Sequence, residues 1–334
     1  MPPEGHRIEY LDWLRALAAG LVLIGHCANP LARGGAIGVS VFFVLSGYLI
    51  TSILLREGMF TVPNIARFIV RRILRIYPLY VVQIALALVV IGLFQSDKLA
   101  IALDAVPGLL SFVGGPSDWL GYSFGVLWTL AVEFWFYVTF PFFLWAANAV
   151  GRPVLFIVGG ILISLIAKAV PFGGEVLAYY DQFLLGALCA IAVQRQHFPW
   201  FASVPGVFVA SIVAIVVIAQ IPYPGSRNAI WYCESLATAA VTALAILSGA
   251  VQAQGIRLPV VAYLGRISYS VYLMHAVLLD ALVFALPVAR KFPYFLASIP
   301  LFVIAAVAFS ALTYRYVERP FEAASHRGIR YRLA

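Results

Sequence analysis

A few ionisable side chains lie inside long apolar segments of this sequence, where such groups are costly and usually functional. The first segment carries Asp12, Arg15 and His26. On a helix, Arg15 and His26 would face within roughly 20° of each other and lie ~16 Å apart along the axis. Asp12, one turn before Arg15, can form a local anchoring pair with it. Because an imidazole exchanges protons near neutral pH, we predict a functional role for His26 over that of a packed polar residue.

Three arginines open the third apolar segment, within FIVRRILRIYPLY. Arg72 and Arg75 are one helical turn apart, and so are Arg71 and Arg75. They can serve as positive anchors at the cytoplasmic membrane surface. Alternatively, their guanidinium groups can bind the phosphates of a cytoplasmic cofactor in a bidentate manner. The residues alone leave both interpretations open.

Glu133 is the acidic residue of a wholly apolar stretch, FGVLWTLAVEFWFYVTF, and no cation is near it in sequence. A carboxylate at membrane depth must find a partner or stay protonated. We therefore predict a functional Glu133, the alternative being a structural hydrogen bond between helices.

Polar residues also recur in the last two apolar segments. Ser268, Tyr272 and His275 share one helical face, which can line a cavity or join helices by hydrogen bonds. Arg315 and Glu318 have the spacing of a local ion pair. We count Tyr272, His275 and Glu318, together with Asp12, as candidate residues around the substrate.

The composition indicates which elements must position these residues. Of the 334 residues, 63% are hydrophobic and 11% are charged, whereas a soluble domain carries about 25% charged residues. So few charges suit a bilayer, with membrane lipids as the surroundings. The basic residues are spread between apolar segments, which argues against nucleic-acid binding. The three cysteines are far apart and show no metal-binding spacing.

We predict an all-α, polytopic membrane protein with about ten transmembrane helices and a single domain over 1–334. A spanning helix needs ~20 largely apolar residues. The candidate spans are approximately 10–29, 36–55, 74–95, 123–147, 153–170, 176–194, 203–220, 231–250, 264–286 and 295–317. The segment 99–113 is apolar but short and contains a proline, so we interpret it as re-entrant or interfacial.

The basic residues predict the orientation. With the N-terminus inside, fifteen of the 22 Lys and Arg residues fall in inner loops or ends and six in outer loops, Arg15 being intramembrane. This bias predicts that both termini are cytoplasmic, in agreement with an even number of helices.

Six segments, in order, closely resemble the membrane acyltransferase-3 family of O-acyltransferases. They are LDWLRALAAGLVLIGH (11–26), VSVFFVLSGYLIT (39–51), FIVRRILRIYPLY (68–80), LWTLAVEFWFY (127–137), ISYSVYLMH (267–275) and YRYVERP (314–320). The most specific parts are the Arg15–His26 spacing, the Arg72–Arg75 pair and the segment ending at Glu133. Trp13 departs from the family's frequent Gly, which we expect to alter packing near Arg15 rather than chemistry.

The resemblance implies transfer of an acyl group, usually acetyl from cytoplasmic acetyl-CoA or another acyl-CoA, to a hydroxyl of a sugar or cell-envelope glycan precursor. It implies a multi-pass protein of the bacterial inner membrane and no metal. His26 matches the family's essential histidine, which suits a general base. Arg15, Arg72 and Arg75 match its essential arginines and would bind the donor, while Glu133 and Glu318 match recurrent acidic positions.

Three further expectations complete this interpretation. The sequence ends soon after its last apolar segment, so the resemblance implies the stand-alone form without a fused extracytoplasmic hydrolase-like domain. A transporter or flippase is the main alternative, although the inverted halves typical of transporters are not visible. An acyltransferase acting on a small-molecule secondary metabolite is the other.

Overall fold

The computed structural model describes residues 9–27, 34–56, 61–116, 119–169, 177–221, 229–253, 256–286 and 294–327. Helices dominate these residues. In chain order they are α1 Glu9–Cys27, α2 Gly35–Arg56, α3 Val62–Phe94, α4 Leu99–Leu110, α5 Tyr122–Gly125, α6 Trp128–Ala149, α7 Pro153–Ala169, α8 Tyr180–Gln194, α9 Val207–Ile218, α10 Ala229–Gln252, α11 Pro259–Arg266, α12 Ser268–Ala285, α13 Tyr294–Thr313 and α14 Arg319–Arg327. A π-helical turn, Tyr314–Glu318, links α13 to α14.

The prediction of an all-α, polytopic membrane protein is confirmed. Among the described residues, seven helical segments are long and apolar enough to cross a membrane, and Pro153–Lys168 and Val207–Ile218 are shorter apolar helices. Helix α1 is less apolar because it carries Glu9, Asp12 and Arg15. The number of ten spans and the cytoplasmic termini stay predictions, and the outer loops 28–33 and 222–228 lie outside the described residues.

Two predicted boundaries were wrong. Helix α3 begins at Val62 rather than near position 74, because Pro63 occupies its first turn, where proline is tolerated. Its 33 residues extend ~50 Å, well beyond a hydrocarbon core of ~30 Å. The predicted span 264–286 is interrupted at Ile267, which separates α11 from α12.

The chain forms two compact units, so the prediction of one domain over 1–334 stays a prediction. The first unit contains Met1–Phe60 and Phe140–Ser268, and the second contains Thr61–Thr139 and Tyr269–Ala334. We describe each unit by itself.

In the first unit, α2 packs against α1, α8 and α10. Gly47 of α2 and Gly186 of α8 allow a close approach of the two backbones. A Cβ added to Gly47 would collide with the Phe183 carbonyl, and one added to Gly186 would collide with the Val44 carbonyl. The small residues predicted to permit close helix approach in α2 therefore do so, and α2 is held firmly between α1 and α8.

In the second unit, α3 contacts α4, α5, α14 and the π-helical turn. The short helix α4 is fixed to α3 through hydrogen bonds to its last carbonyls. The hydroxyls of Tyr77 and Tyr80 donate to Leu110 O at 3.3 Å and Leu109 O at 2.9 Å. The segment predicted at 99–113 thus forms a short helix docked on α3, while its depth in the membrane stays a prediction.

Candidate active site

The His26 side chain lies in the last turn of α1, beside the first residue of α2. Gly25, Gly34 and Gly35 bring the two helix ends together, since a Cβ added to Gly25 would lie 2.5 Å from Gly35 N. A Cβ added to Gly35 would lie 3.5 Å from His26 Nε2. The imidazole is half-buried. A proton-exchanging group is therefore held next to a helix N-terminus, where free N–H groups favour negative charge.

The other charged end of α1 is anchored by an ion pair and by packing. Arg15 Nη1 lies 3.3 Å from Asp12 Oδ1, as the sequence predicted for this pair. Asp12 is buried, and a Cβ on Gly265 of α11 would collide with the Asp12 backbone. Trp13 packs against Phe208 of α9 with ring centroids 6.2 Å apart, so this departure from the family pattern serves helix packing.

The second unit brings Arg72, Arg75 and Glu133 into one electrostatic cluster. Arg75 interacts with Glu133, and also with Glu318 and Glu322. On α6, the Tyr137 hydroxyl donates a short hydrogen bond to Glu133, and Tyr137 interacts with both arginines. The predicted arginine cradle is therefore not purely cationic, because carboxylates share it.

Arg72 has a further contact within α3. Its guanidinium carbon lies 5.4 Å from the centre of the Phe68 ring, one turn earlier. This cation–π contact restrains the guanidinium beside the Phe68 ring.

The π-helical turn places Glu318 toward the protein interior. Glu318 is 3% exposed and accepts a hydrogen bond from Ser270 Oγ at 2.7 Å. Arg315 is exposed, and its guanidinium lies over the Tyr316 ring at 5.5 Å. The sequence suggested a local Arg315–Glu318 pair on the basis of α-helical spacing. A π turn changes that spacing, and π turns are frequent at functional sites.

Tyr272 makes hydrogen bonds that join two helices, whereas the hydrogen bond of His275 lies within its own helix. The Tyr272 hydroxyl donates to Val126 O at 3.0 Å and lies 2.7 Å from Thr129 Oγ1, which joins α12 to the start of α6. His275 is fully buried, and its Nδ1 lies 2.9 Å from Val271 O in the preceding turn. These contacts favour interhelix support for Tyr272, while a role near the substrate stays a prediction for both residues.

Sequence reasoning missed Asp280 in α12. It is buried and accepts hydrogen bonds from Tyr122 N at 2.9 Å, Ser123 N at 2.7 Å and the Ser123 hydroxyl at 2.5 Å. Gln83 of α3 donates to Ser123 O at 2.6 Å. An acidic residue within the apolar segment 264–286 was the available signal. Its bonds indicate a structural role in holding α5.

The comparisons with known proteins agree with this arrangement. A family described as an acyltransferase domain matches residues 8–315. The chain belongs to the acyltransferase-3 family. This assignment favours acyl transfer over the transporter alternative, and the matched segment includes every candidate residue except Glu318.

Three curated relatives match the chain. A Staphylococcus aureus protein provisionally named an O-acetyltransferase is 24% identical over 97% of this chain and 59% of its own length. A Bacillus subtilis protein provisionally named a peptidoglycan O-acetyltransferase is 40% identical over 42% of this chain and 24% of its own length. The peptidoglycan O-acetyltransferase of Listeria monocytogenes is 36% identical over 41% of this chain and 24% of its own length. The chain thus spans less than two thirds of the length of these relatives. No solved structure matches it significantly.

Among the described residues, no group of three or more His, Cys, Asp or Glu side chains is arranged to hold a metal ion.

Proposed function

We propose that the chain transfers an acetyl group from acetyl-CoA to a sugar hydroxyl of a cell-envelope glycan, with His26 as the general base. The proposal rests chiefly on the half-buried His26 imidazole beside Gly35 in a chain of an acyltransferase family. The relatives' names, which include peptidoglycan O-acetyltransferases, support acetyl as the group and a glycan as the acceptor.

In this reaction His26 takes the proton of the acceptor hydroxyl as its oxygen attacks the thioester carbonyl. The new C–O bond forms, the C–S bond breaks, and the imidazolium returns the proton to the departing thiolate of CoA. An imidazole nitrogen can accept a proton and return it, which is what both transfers require. The N–H groups in the first turn of α2 would stabilise the negative charge that develops on the carbonyl oxygen.

The arginine and carboxylate cluster is proposed to hold the donor's phosphates at the cytoplasmic side. A guanidinium has five N–H donors, so Arg75 can bind a phosphate while Glu318 and Glu322 orient it. Arg72, restrained over the Phe68 ring, would supply a second guanidinium to bind the phosphates. Arg15 is proposed to assist donor binding from the inner end of α1, oriented by Asp12.

Glu133 is proposed to act through its partners. Its hydrogen bond from Tyr137 and its interaction with Arg75 support a role in holding a catalytic partner. The alternative role is to orient the acceptor hydroxyl.

The test uses the purified full chain in lipid nanodiscs with acetyl-CoA labelled in the acetyl group. The proposal requires release of free CoA and formation of an alkali-labile acetyl ester on an added β-1,4-linked N-acetylglucosamine tetramer. A folded protein that neither binds nor consumes acetyl-CoA would contradict it and favour the transporter alternative.

A further inference from the structure

The first turns of α12 carry three hydroxyls that hydrogen-bond to three other parts of the second unit. The Tyr269 hydroxyl donates to Ile76 O of α3 at 2.8 Å. Ser270 Oγ donates to Glu318 in the π-helical turn at 2.7 Å, and the Tyr272 hydroxyl joins α12 to the start of α6. Three neighbouring side chains therefore tie α12 to the elements that carry the arginine and carboxylate cluster.

The hydrogen bond of Tyr269 reaches α3 at the residue that directly follows Arg75, which is Ile76. Pro78 lies two residues further along, inside the same helix. Because proline has no backbone N–H, α3 loses the hydrogen bond that Leu74 O would otherwise accept. The Tyr269 hydroxyl thus supports α3 where the helix's own hydrogen bonding is weakened, within one turn of Arg75.

Tyr269 also belongs to the electrostatic surroundings of Arg75. The carboxylates of Glu133 and Glu318 interact with Arg75, and the same two carboxylates interact with Tyr269. Since the Tyr269 O–H donates to a backbone carbonyl of α3, this donor is not shared with the carboxylates that orient the guanidinium. The tyrosine therefore adjoins the cluster and acts on its backbone support.

We propose that Tyr269 is a positioning residue of the donor site. Its hydrogen bond to Ile76 O fixes the backbone next to Arg75, and thereby the direction in which the guanidinium meets a phosphate of the donor. A planar guanidinium binds phosphate in a bidentate manner, which makes its affinity depend on orientation. The inference rests on the proposed function, because it requires that Arg75 binds the donor.

Tyr269→Phe removes the hydroxyl and keeps the ring, so it tests this hydrogen bond alone. In the full chain in lipid nanodiscs, this variant should raise the Kd for acetyl-CoA about tenfold in calorimetry, the loss of roughly one hydrogen bond. In steady-state transfer to the β-1,4-linked N-acetylglucosamine tetramer, the KM for acetyl-CoA should rise similarly, while kcat and the KM for the tetramer stay within twofold. An unchanged Kd in a folded Tyr269→Phe protein would overturn the inference.

Tyr80→Phe is the matched control, because Tyr80 also donates its hydroxyl to a carbonyl of the second unit, Leu109 O at 2.9 Å. That bond fixes α4 rather than the α3 backbone beside Arg75. Both variants lose one hydroxyl-to-carbonyl bond, so their Tm values should fall by similar amounts, whereas Tyr80→Phe should leave the Kd for acetyl-CoA within twofold of wild type. An equal loss of affinity in both variants would reveal a general effect of packing and contradict the inference.

A double-mutant cycle with Arg75 measures whether Tyr269 acts through that arginine. Arg75→Lys keeps the positive charge, which protects folding, but removes the planar fork of donors. In this background Tyr269→Phe should change the Kd less than twofold, because there is no fork left to orient. A tenfold effect in both backgrounds would mean that the two residues act independently and would refute the inference.

The same measurements distinguish failure of this inference from failure of the proposed function. A folded wild-type protein that does not bind acetyl-CoA would refute both. Normal binding by wild type with unchanged affinity in Tyr269→Phe would refute the positioning role alone.

Discussion

Removing the positive charge of Lys168 should strongly destabilise the first unit. Lys168→Met leaves the Asp181 carboxylate buried without its partner at 2.6 Å, and the neighbouring Ser164 cannot neutralise a charge. Breaking a buried pair in this way typically costs about 3–5 kcal/mol. A change of 1 kcal/mol shifts Tm by about 2 °C in large domains, so we expect Tm to fall by roughly 6–10 °C.

A double-mutant cycle measures whether this loss comes from the pair. Asp181→Leu alone should also lower Tm, because it leaves the buried ammonium unpaired, whereas the double variant Lys168→Met/Asp181→Leu should recover most of the loss. Replacing both members of a buried pair by apolar residues is often neutral or stabilising. The measurement is thermal unfolding of purified protein in one detergent. Single variants within 2 °C of wild type, or additive losses in the double variant, would refute the reasoning.

Four further predictions concern the proposed site and topology. His26→Ala should lower the transfer rate by about 10²–10⁴-fold, measured by CoA release, with acetyl-CoA affinity unchanged because the base does not hold the donor. Arg72→Ala should weaken acetyl-CoA binding by about 10–100-fold in calorimetry, the loss expected for a charged hydrogen bond, and added salt should weaken wild-type binding. Glu133→Gln keeps size and hydrogen bonding but removes the charge, so transfer should fall while Tm stays near wild type. Reporter fusions in loops 28–36 and 221–230 should report an outer location.

Each of these predictions has a control or a contradictory outcome. His197 is an exposed histidine and Arg67 an exposed arginine of α3, so alanine variants of these two should behave as wild type. A stable His26→Ala protein with full activity would remove the proposed base. Unchanged acetyl-CoA affinity in Arg72→Ala would show that this arginine does not bind the donor and serves only as a positive anchor at the cytoplasmic membrane surface. Full activity in Glu133→Gln would show that this residue is structural. A cytoplasmic location for either reporter fusion would contradict the predicted topology.

Apolar segment length predicted most of the helices but not where every helix begins and ends. The predicted third span begins near position 74 because Arg67, Arg71 and Arg72 lower the hydropathy of the sequence before that point. The backbone continues as helix from Val62, since arginines are good helix formers and proline fits the first turn. The interruption at Ile267 lies two residues after Gly265, which packs closely against the backbone of Asp12 in α1.

Spacing along one helix predicted the Asp12–Arg15 pair, which the structure contains. It did not predict the Tyr137–Glu133 hydrogen bond, although Tyr137 is one turn after Glu133 on the same helix. The interaction of Glu133 with Arg75 of α3 could not be predicted, because a single sequence does not state which helix faces meet.

The buried polar residues divide into two classes by the partner of their hydrogen bond. Thr238, Thr242 and Ser310 each donate to a carbonyl one turn earlier in their own helix, which satisfies the hydroxyl locally and needs no partner elsewhere. Lys168 and Glu318 instead have partners on other helices. Asp280 and Tyr272 also bond to other helices and support helix packing. A partner on another helix therefore shows that the buried polar group depends on tertiary packing, and it does not by itself mark a functional site.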